Sequence, residues 1–306
     1  MKPAPTFSLI VPTFNGESCI TQLLSSIQQQ TIQPDKIVII DSSSADKTVL
    51  LAQQFTTHIV VIDQKDFNHG ATRNRAIEHT NSDILVYMTQ DAYLTNEFSL
   101  ENLLKVFENP KIAAAYGRQL PRPQAGPIEA HHRLFNYPPH SHIKTYTSKE
   151  KSSIKDAFMS NSFAAYRKQA LNSIGGFPND VILGEDMYAT AKLLLNGHSI
   201  AYVADALATH SHDYSLIQEF KRYFDIGVFH SREKWITNAF GKSEGEGKKF
   251  IISECGFLLR ARSMLLLAAV IRNILKYAAY RLGAIEKYIP SLINSKLSMH
   301  HEFFKK

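Results

Sequence analysis

Phe7-Ser8-Leu9-Ile10-Val11-Pro12-Thr13-Phe14-Asn15-Gly16 is a short apolar run that stops in turn-forming residues. Five residues, Phe7–Val11, are too few for a typical helix and suit a buried strand, while Pro12 and Asn15-Gly16 close it. An amphipathic stretch, Ile20–Ile27, follows, and the pair then repeats: Ile37–Ile40 with Val49–Phe55, Ile59–Ile62 with Ala71–Ile77, Ile84–Met88 with Leu100–Phe107, and finally Ile112–Tyr116. Strand alternates with helix through residue 118. This predicts an α/β domain with a mostly parallel central sheet flanked by helices, and it puts ligands beyond the carboxyl ends of the strands. The polar groups there are Pro12-Thr13-Phe14-Asn15, Asp41-Ser42-Ser43-Ser44, Asp63 to Asn68 and Thr89-Gln90-Asp91.

The 306 residues, 44% hydrophobic and 20% charged, suffice for a full-sized core. Cys19 and Cys255 are the only cysteines, so no disulfide framework or zinc knuckle is expected and a reducing, cytoplasmic compartment is the simplest reading. Residues 1–8 lack the apolar core of a secretory signal. Ser263 to Ile271, bracketed by Arg262 and Arg272, reaches about half of the roughly 20 residues that a spanning helix requires. The net charge of +6 is concentrated at one end: residues 242–306 hold twelve Lys or Arg against five Asp or Glu. A basic tail beside a near-neutral body argues against nucleic acid as the partner and towards an anionic membrane surface, although such helices also pack on their own domain or form dimers.

Beyond residue 118 the pattern is less regular. Residues 121–155 are rich in proline, histidine and lysine and read as a long functional loop. Apolar residues return at Ala157–Tyr166, followed by a short helix at Lys168–Ile174, a Gly175-Gly176-Phe177-Pro178 turn, a helix from Glu185 to Asn196 closed by Gly197, and a strand at Ser199–Val203. The remainder is mainly helical. There Arg262, Arg272, Lys276 and Lys287 fall within about an 80° arc of a helical wheel, a basic stripe on an otherwise apolar helix.

Five clusters can carry chemistry, each with a plainer alternative. Thr13, Asn15 and Asp41 could hold a base and ribose, or simply make turns. His69-Gly70-Ala71-Thr72-Arg73-Asn74 opens a helix, where free N–H groups and Arg73 could meet a diphosphate, or Arg73 could pair with a nearby acid. Asp91 ends a buried strand, as a metal ligand would or as a loop residue does. Glu185 and Asp186 begin a helix, where acids favour the dipole in any case. His210 and His212 point to one side of an extended segment, and either could join Asp91 on a metal.

The ordered set, completed by Gly175-Gly176-Phe177 and Gly184-Glu185-Asp186, resembles the family 2 inverting glycosyltransferases with the GT-A fold. Phe67-Asn68-His69-Gly70, Thr89-Gln90-Asp91 and His210-Ser211-His212-Asp213-Tyr214-Ser215 are similar to the bacterial rhamnosyltransferase branch. The family's usual Asp-x-Asp has Thr89 in its first position here. The resemblance implies a GT-A domain over residues 1–240, with a nucleotide-binding half (1–118) and an acceptor and catalytic half (119–240), followed by a basic helical extension (241–306).

It implies a donor site of Pro12, Thr13, Asn15, Asp41, Ser43, His69, Gly70, Arg73, Asn74 and Gln90, with Arg73 and Asn74 near the phosphates. Asp91 and His210 would bind Mg²⁺ or Mn²⁺, and Asp186 would be the base. The expected reaction moves a sugar, with L-rhamnose from dTDP-β-L-rhamnose favoured, to an acceptor hydroxyl in cell-surface polysaccharide assembly. The acceptor would be a glycan or a polyprenyl-diphosphate-linked glycan at the cytoplasmic face of the membrane. Other readings are a UDP- or GDP-sugar transferase, a sugar nucleotidyltransferase, or a catalytically silent carbohydrate-binding scaffold.

Overall fold

The computed structural model describes residues 5–147, 152–210, 212, 214–241, 244–261 and 264–305. Nine strands form one sheet: β1 (Phe7–Thr13), β2 (Lys36–Asp41), β3 (Ile59–Val61), β4 (Ile84–Met88), β5 (Tyr93–Leu94), β6 (Ile112–Leu120), β7 (His142–Lys144), β8 (Phe163–Arg167) and β9 (Ser199–Thr209). Their order is β3-β2-β1-β4-β8-β6-β9-β5, with β7 also paired to β9. β1, β2, β3, β4, β6 and β9 run one way, while β8, β7 and β5 run against them. The mostly parallel α/β sheet is therefore as expected, with one antiparallel strand, β8, between β4 and β6.

Alternation within the strands builds a core on each face. Leu9, Val11, Ile39 and Val86 pack on one side with the helix Ile20–Gln28, while Ile10, Val38, Ile40 and Tyr87 pack on the other. Burial on both faces is why these strands read as continuous apolar runs.

Two local differences position the site. β9 continues to Thr209 instead of stopping near Val203, because its pairing with β6 resumes at Arg118 and Leu207 after a bulge past Gly117 and Val203. That extension delivers His210 to the carboxyl edge of the sheet. Residues 121–155, expected as a loop, contain the helix Pro127–Asn136 and β7. This helix hides polar side chains: His131 is buried, its Nε2 lies 3.0 Å from Ser253 Oγ, and its ring meets Phe250 and Phe257. Those partners lie more than 100 residues away, so nothing in the local sequence marks His131 as a core residue.

The C-terminal helices are built into the domain. Ser215 and Gln218 form a capping box that starts the helix Leu216–Arg232, which crosses the helix Leu265–Ala284 at backbone contact. A β-carbon on Gly227 would lie 2.2 Å from the Tyr280 carbonyl oxygen, and one on Gly283 2.0 Å from that of Phe224. Gly283→Ala must therefore push the helices apart, and a stability loss of about 1–3 kcal/mol is expected in urea unfolding.

Of the expected basic stripe, Arg272 and Lys276 point inward, while Lys287 is exposed. Arg272 Nη1 and Lys276 Nζ lie 2.8 and 3.4 Å from Glu219, and Asn273 donates to Glu254 at 2.6 Å. Arg262, Ser211 and Asp213 lie outside the described residues. Both cysteines are free, and among the described residues no helix is long and apolar enough to cross a membrane.

Candidate active site

The carboxyl ends of β1, β2 and β3 are tied together by short side chains. Thr13 Oγ1 donates to the buried Asp41 Oδ1 at 2.8 Å, and the Ser44 amide donates to Asp41 Oδ2 at 2.8 Å. Asn15 holds a left-handed backbone (φ 46°), donates its amide to Ser44 Oγ and accepts the Ala45 amide on Oδ1, both at 2.9 Å. Ser43, also left-handed (φ 57°), donates to the Ile62 carbonyl at 2.8 Å. Pro12 pairs with Ile40, past the last β1–β4 partners, Ile10 and Tyr87. Gln90 clamps this loop through its amide, accepting from Phe14 N and donating to Phe14 O, each at 2.9 Å. Asn15 and Ser43, non-glycine residues with positive φ on the loops after β1 and β2, mark two tightly determined turns that meet at Ser44, as binding sites often do.

One strand spacing away, Asp91, His210 and His212 converge, with one ligand atom from each lying within 4.8 Å of the others. Asp91 Oδ1 is 3.5 Å from His210 Nε2, and Asp91 Oδ2 is 3.4 Å from His212 Nδ1. Gln119, at the end of β6, explains how His210 is aimed. Its buried Oε1 accepts from Arg133 at 2.7 Å and lies 2.9 Å from His210 Nδ1. Since Arg133 can only donate, that oxygen is an acceptor and His210 must carry its proton on Nδ1. The lone pair is left on Nε2, which is buried without a hydrogen-bond partner and faces Asp91. Burial also keeps both imidazoles neutral, with His212 pushed down to about 3 by burial and by His210. Neutral imidazole nitrogens beside a carboxylate are the donor set of a divalent cation site.

The third group surrounds Asp186 at the start of the helix Glu185–Leu195. Asp186 Oδ1 accepts from Met187 N at 2.8 Å and Oδ2 from Asn161 N at 3.2 Å. Burial, and then the negative charge of Glu185, raise its pKa to about 7. Glu185 is itself buried and stays ionised. Arg73 Nη1 lies 3.2 Å away, Asn161 Nδ2 donates to it at 2.9 Å, and Asn161 Oδ1 accepts from Tyr166 OH at 2.8 Å. Neighbouring Ser160 accepts from Gln119 Nε2 at 3.0 Å, so one segment, Ser160-Asn161, joins the His210 support to the Asp186 support.

The helix start at His69 does not offer itself to a diphosphate. Asn68 Oδ1 already accepts from Gly70 N and Ala71 N, which removes the free N–H groups the sequence suggested. A β-carbon on Gly70 would strike the Pro178 carbonyl oxygen at 1.8 Å, so this glycine admits the 175–178 turn and not a ligand. Asn74 clamps the same turn, donating to Phe177 O at 2.8 Å and accepting from Phe177 N at 2.9 Å. Arg73, 5% exposed, donates to the His69 carbonyl at 2.8 Å and neutralises Glu185. His69 is wedged between Phe67 and His300, and burial lowers its pKa to about 4. Gly70 and Asn74 thus hold the 175–178 turn, and Arg73 holds Glu185 next to Asp186.

Gln119, Arg133 and Asn161 carry no mark of the site in the sequence, and Glu185 reads there only as one of two acids that begin a helix.

Comparison with known proteins now adds to the geometry. Residues 8–175 match the model of glycosyl transferase family 2. The chain is 43% identical over 299 residues to the O-antigen chain rhamnosyltransferase RfbN of Salmonella typhimurium, covering 97% of this chain and 95% of that one.

The chain belongs to glycosyl transferase family 2.

A second relative of this glycosyltransferase, the O-antigen chain rhamnosyltransferase WbaN of Salmonella anatum, is 42% identical over 302 residues, covering 98% and 96% of the two chains. Among solved structures, the mannosyltransferase PcManGT of Pyrobaculum calidifontis, in complex with GDP-Man and Mn²⁺, superposes with a TM-score of 0.65 at 17% identity, covering 94% of this chain and 89% of that one. Staphylococcus aureus TarS 1–349 with UDP-GlcNAc gives 0.52 at 19% identity, covering 92% and 89%. At such identities the likeness speaks for the fold, which is GT-A.

Proposed function

We propose that this glycosyltransferase transfers L-rhamnose from dTDP-β-L-rhamnose to an acceptor hydroxyl during O-antigen-type polysaccharide assembly, with inversion at the anomeric carbon and Asp186 as the base. The observation that carries the chemistry is the half-buried Asp186 carboxylate, held by the Met187 and Asn161 amides beside the buried Arg73–Glu185 pair; desolvation and the Glu185 charge raise its pKa to about 7. A carboxylate whose proton affinity is raised in this way is a stronger base toward an acceptor hydroxyl than an ordinary aspartate. The acceptor O–H proton passes to Asp186 as the oxygen–carbon bond forms and the bond from the anomeric carbon to the diphosphate oxygen breaks. Asn161 and Met187 amides hold the carboxylate in place, and the Arg73–Glu185 pair sets its electrostatic surroundings.

Thr13, Asn15, Asp41 and Ser43 would receive the nucleoside, with Pro12 and Gln90 shaping the loop. Held by Asp91, His210 and His212, a divalent cation such as Mg²⁺ or Mn²⁺ would supply positive charge to the departing diphosphate. The choice of sugar draws support from the names of the two Salmonella relatives. A polyprenyl-diphosphate-linked glycan is the acceptor class that fits assembly at a membrane.

Two measurements test this reading. In a thermal-shift screen with Mn²⁺, dTDP-rhamnose should stabilise the protein more than UDP- or GDP-sugars; equal shifts would remove the donor assignment. Gln119→Leu should weaken Mn²⁺ binding in a direct titration by about 10- to 100-fold, because His210 loses the acceptor that fixes its tautomer. Unchanged affinity would show that the three residues do not hold the ion.

A further inference from the structure

The helix Leu265–Ala284 is amphipathic the wrong way round for a surface helix. Its polar side chains, Arg272, Asn273 and Lys276, turn into the protein to meet Glu219 and Glu254. Its outward face carries Leu267 (70% exposed), Val270, Ile271, Ile274 (63% exposed) and Tyr277, with no charge until Arg281. The preceding helix, Glu244–Ala261, adds exposed Ile252 and Leu259. A contiguous apolar face of this kind marks a surface that something covers.

The charges around it indicate what. Among described residues 245–298, the exposed charged side chains are Lys248, Lys249, Arg260, Arg281, Lys287 and Lys296, all positive. Glu254 and Glu286 are buried and Glu246 is largely covered, its side chain paired with Lys155 and Lys249. A second copy docking through a two-fold axis would bring these cations against their equivalents, which opposes association. An apolar ridge whose exposed charges, among described residues 245–298, are all cations instead complements a bilayer with anionic headgroups, into which such a face sinks by several ångströms.

We propose that the outward face of residues 265–282 lies on the surface of an anionic lipid bilayer. The contact is made by the apolar side of this helix, and the Arg272–Lys276 stripe takes no part in it. This goes beyond the transfer reaction and does not depend on the identity of its sugar.

The test is co-sedimentation of the full chain, without donor or acceptor, with vesicles of phosphatidylcholine plus phosphatidylglycerol and with vesicles of phosphatidylcholine alone. Strong binding to the first and weak binding to the second is expected. Ile274→Glu should weaken binding about tenfold or more. Arg260→Gln should weaken it about fivefold in the anionic vesicles only. Both sites are exposed, so an unchanged melting temperature will show that the fold survives. The proposal is overturned if the wild type stays in the supernatant, if Ile274→Glu binds as well as wild type, or if light scattering finds a lipid-free dimer that Ile274→Glu dissociates. Dye-monitored donor binding on the same samples separates this result from the catalytic assignment, since a failure of one leaves the other readout in place.

Discussion

Asp186→Asn is expected to lower the turnover number by about 10²- to 10⁴-fold while donor binding is retained, because the amide keeps the shape of the carboxylate but cannot take the acceptor proton. The wild-type rate should fall as pH drops through about 7, where the Asp186 carboxylate becomes protonated. The same shift makes a stability prediction of the opposite sense. A carboxyl whose folded pKa lies above its ordinary 3.8 binds more protons folded than unfolded, so its contribution declines as pH rises from about 4 to about 7 and then stays low. Above pH 7 the Asn variant should therefore melt at a higher temperature than wild type, although it is nearly inactive. Unimpaired transfer by the variant would end the assignment. A lower melting temperature at pH 8 would mean that the carboxylate serves the fold.

Glu185→Gln should produce the second large effect, with two separable parts. Removing the negative charge beside Asp186 lowers the pKa of the base, so the acid limb of the pH–rate profile moves to lower pH. It also leaves the buried Arg73 guanidinium without its counter-ion, which costs about 3–5 kcal/mol and should appear as a fall in the urea midpoint. If the acid limb stays in place, Glu185 does not tune the base. The double variant Glu185→Gln with Arg73→Met removes both charges. It should recover much of the lost stability, because apolar replacement of a whole buried pair is often close to neutral.

These two predictions depend on a feature that the linear sequence misassigned. Arg73 read as a phosphate ligand because it lies in the first turns of a helix, where a cation is disfavoured and an anion is wanted. An anion is indeed present, but it is Glu185, brought from more than 100 residues away by the docking of the 175–178 turn on Gly70 and Asn74. The sequence could report that Arg73 needed a partner. It could not report which one, since a carboxylate from the same chain and a diphosphate from solution satisfy the same requirement. Gln119 was missed for a related reason. A buried amide that orients an imidazole carries no local signature, and its function exists only because the β9 bulge brings His210 alongside the end of β6.

The alternation of short apolar runs with amphipathic stretches was enough by itself to determine an α/β sheet and the edge that carries the site, because burial on both faces of a strand and on one face of a helix writes its period into neighbouring residues. The order of Asp41, Asp91, Asp186 and His210 along the chain was likewise legible, as was the family. Tertiary structure alone decided which polar groups are spent inside the protein and which remain for ligands. It set Arg73 against Glu185, turned the Arg272–Lys276 stripe inward and left Leu267 and Ile274 facing out. Charge and hydrophobicity belong to a residue, but the partner that satisfies them is chosen by contacts between segments far apart in the chain, and no local pattern records that choice.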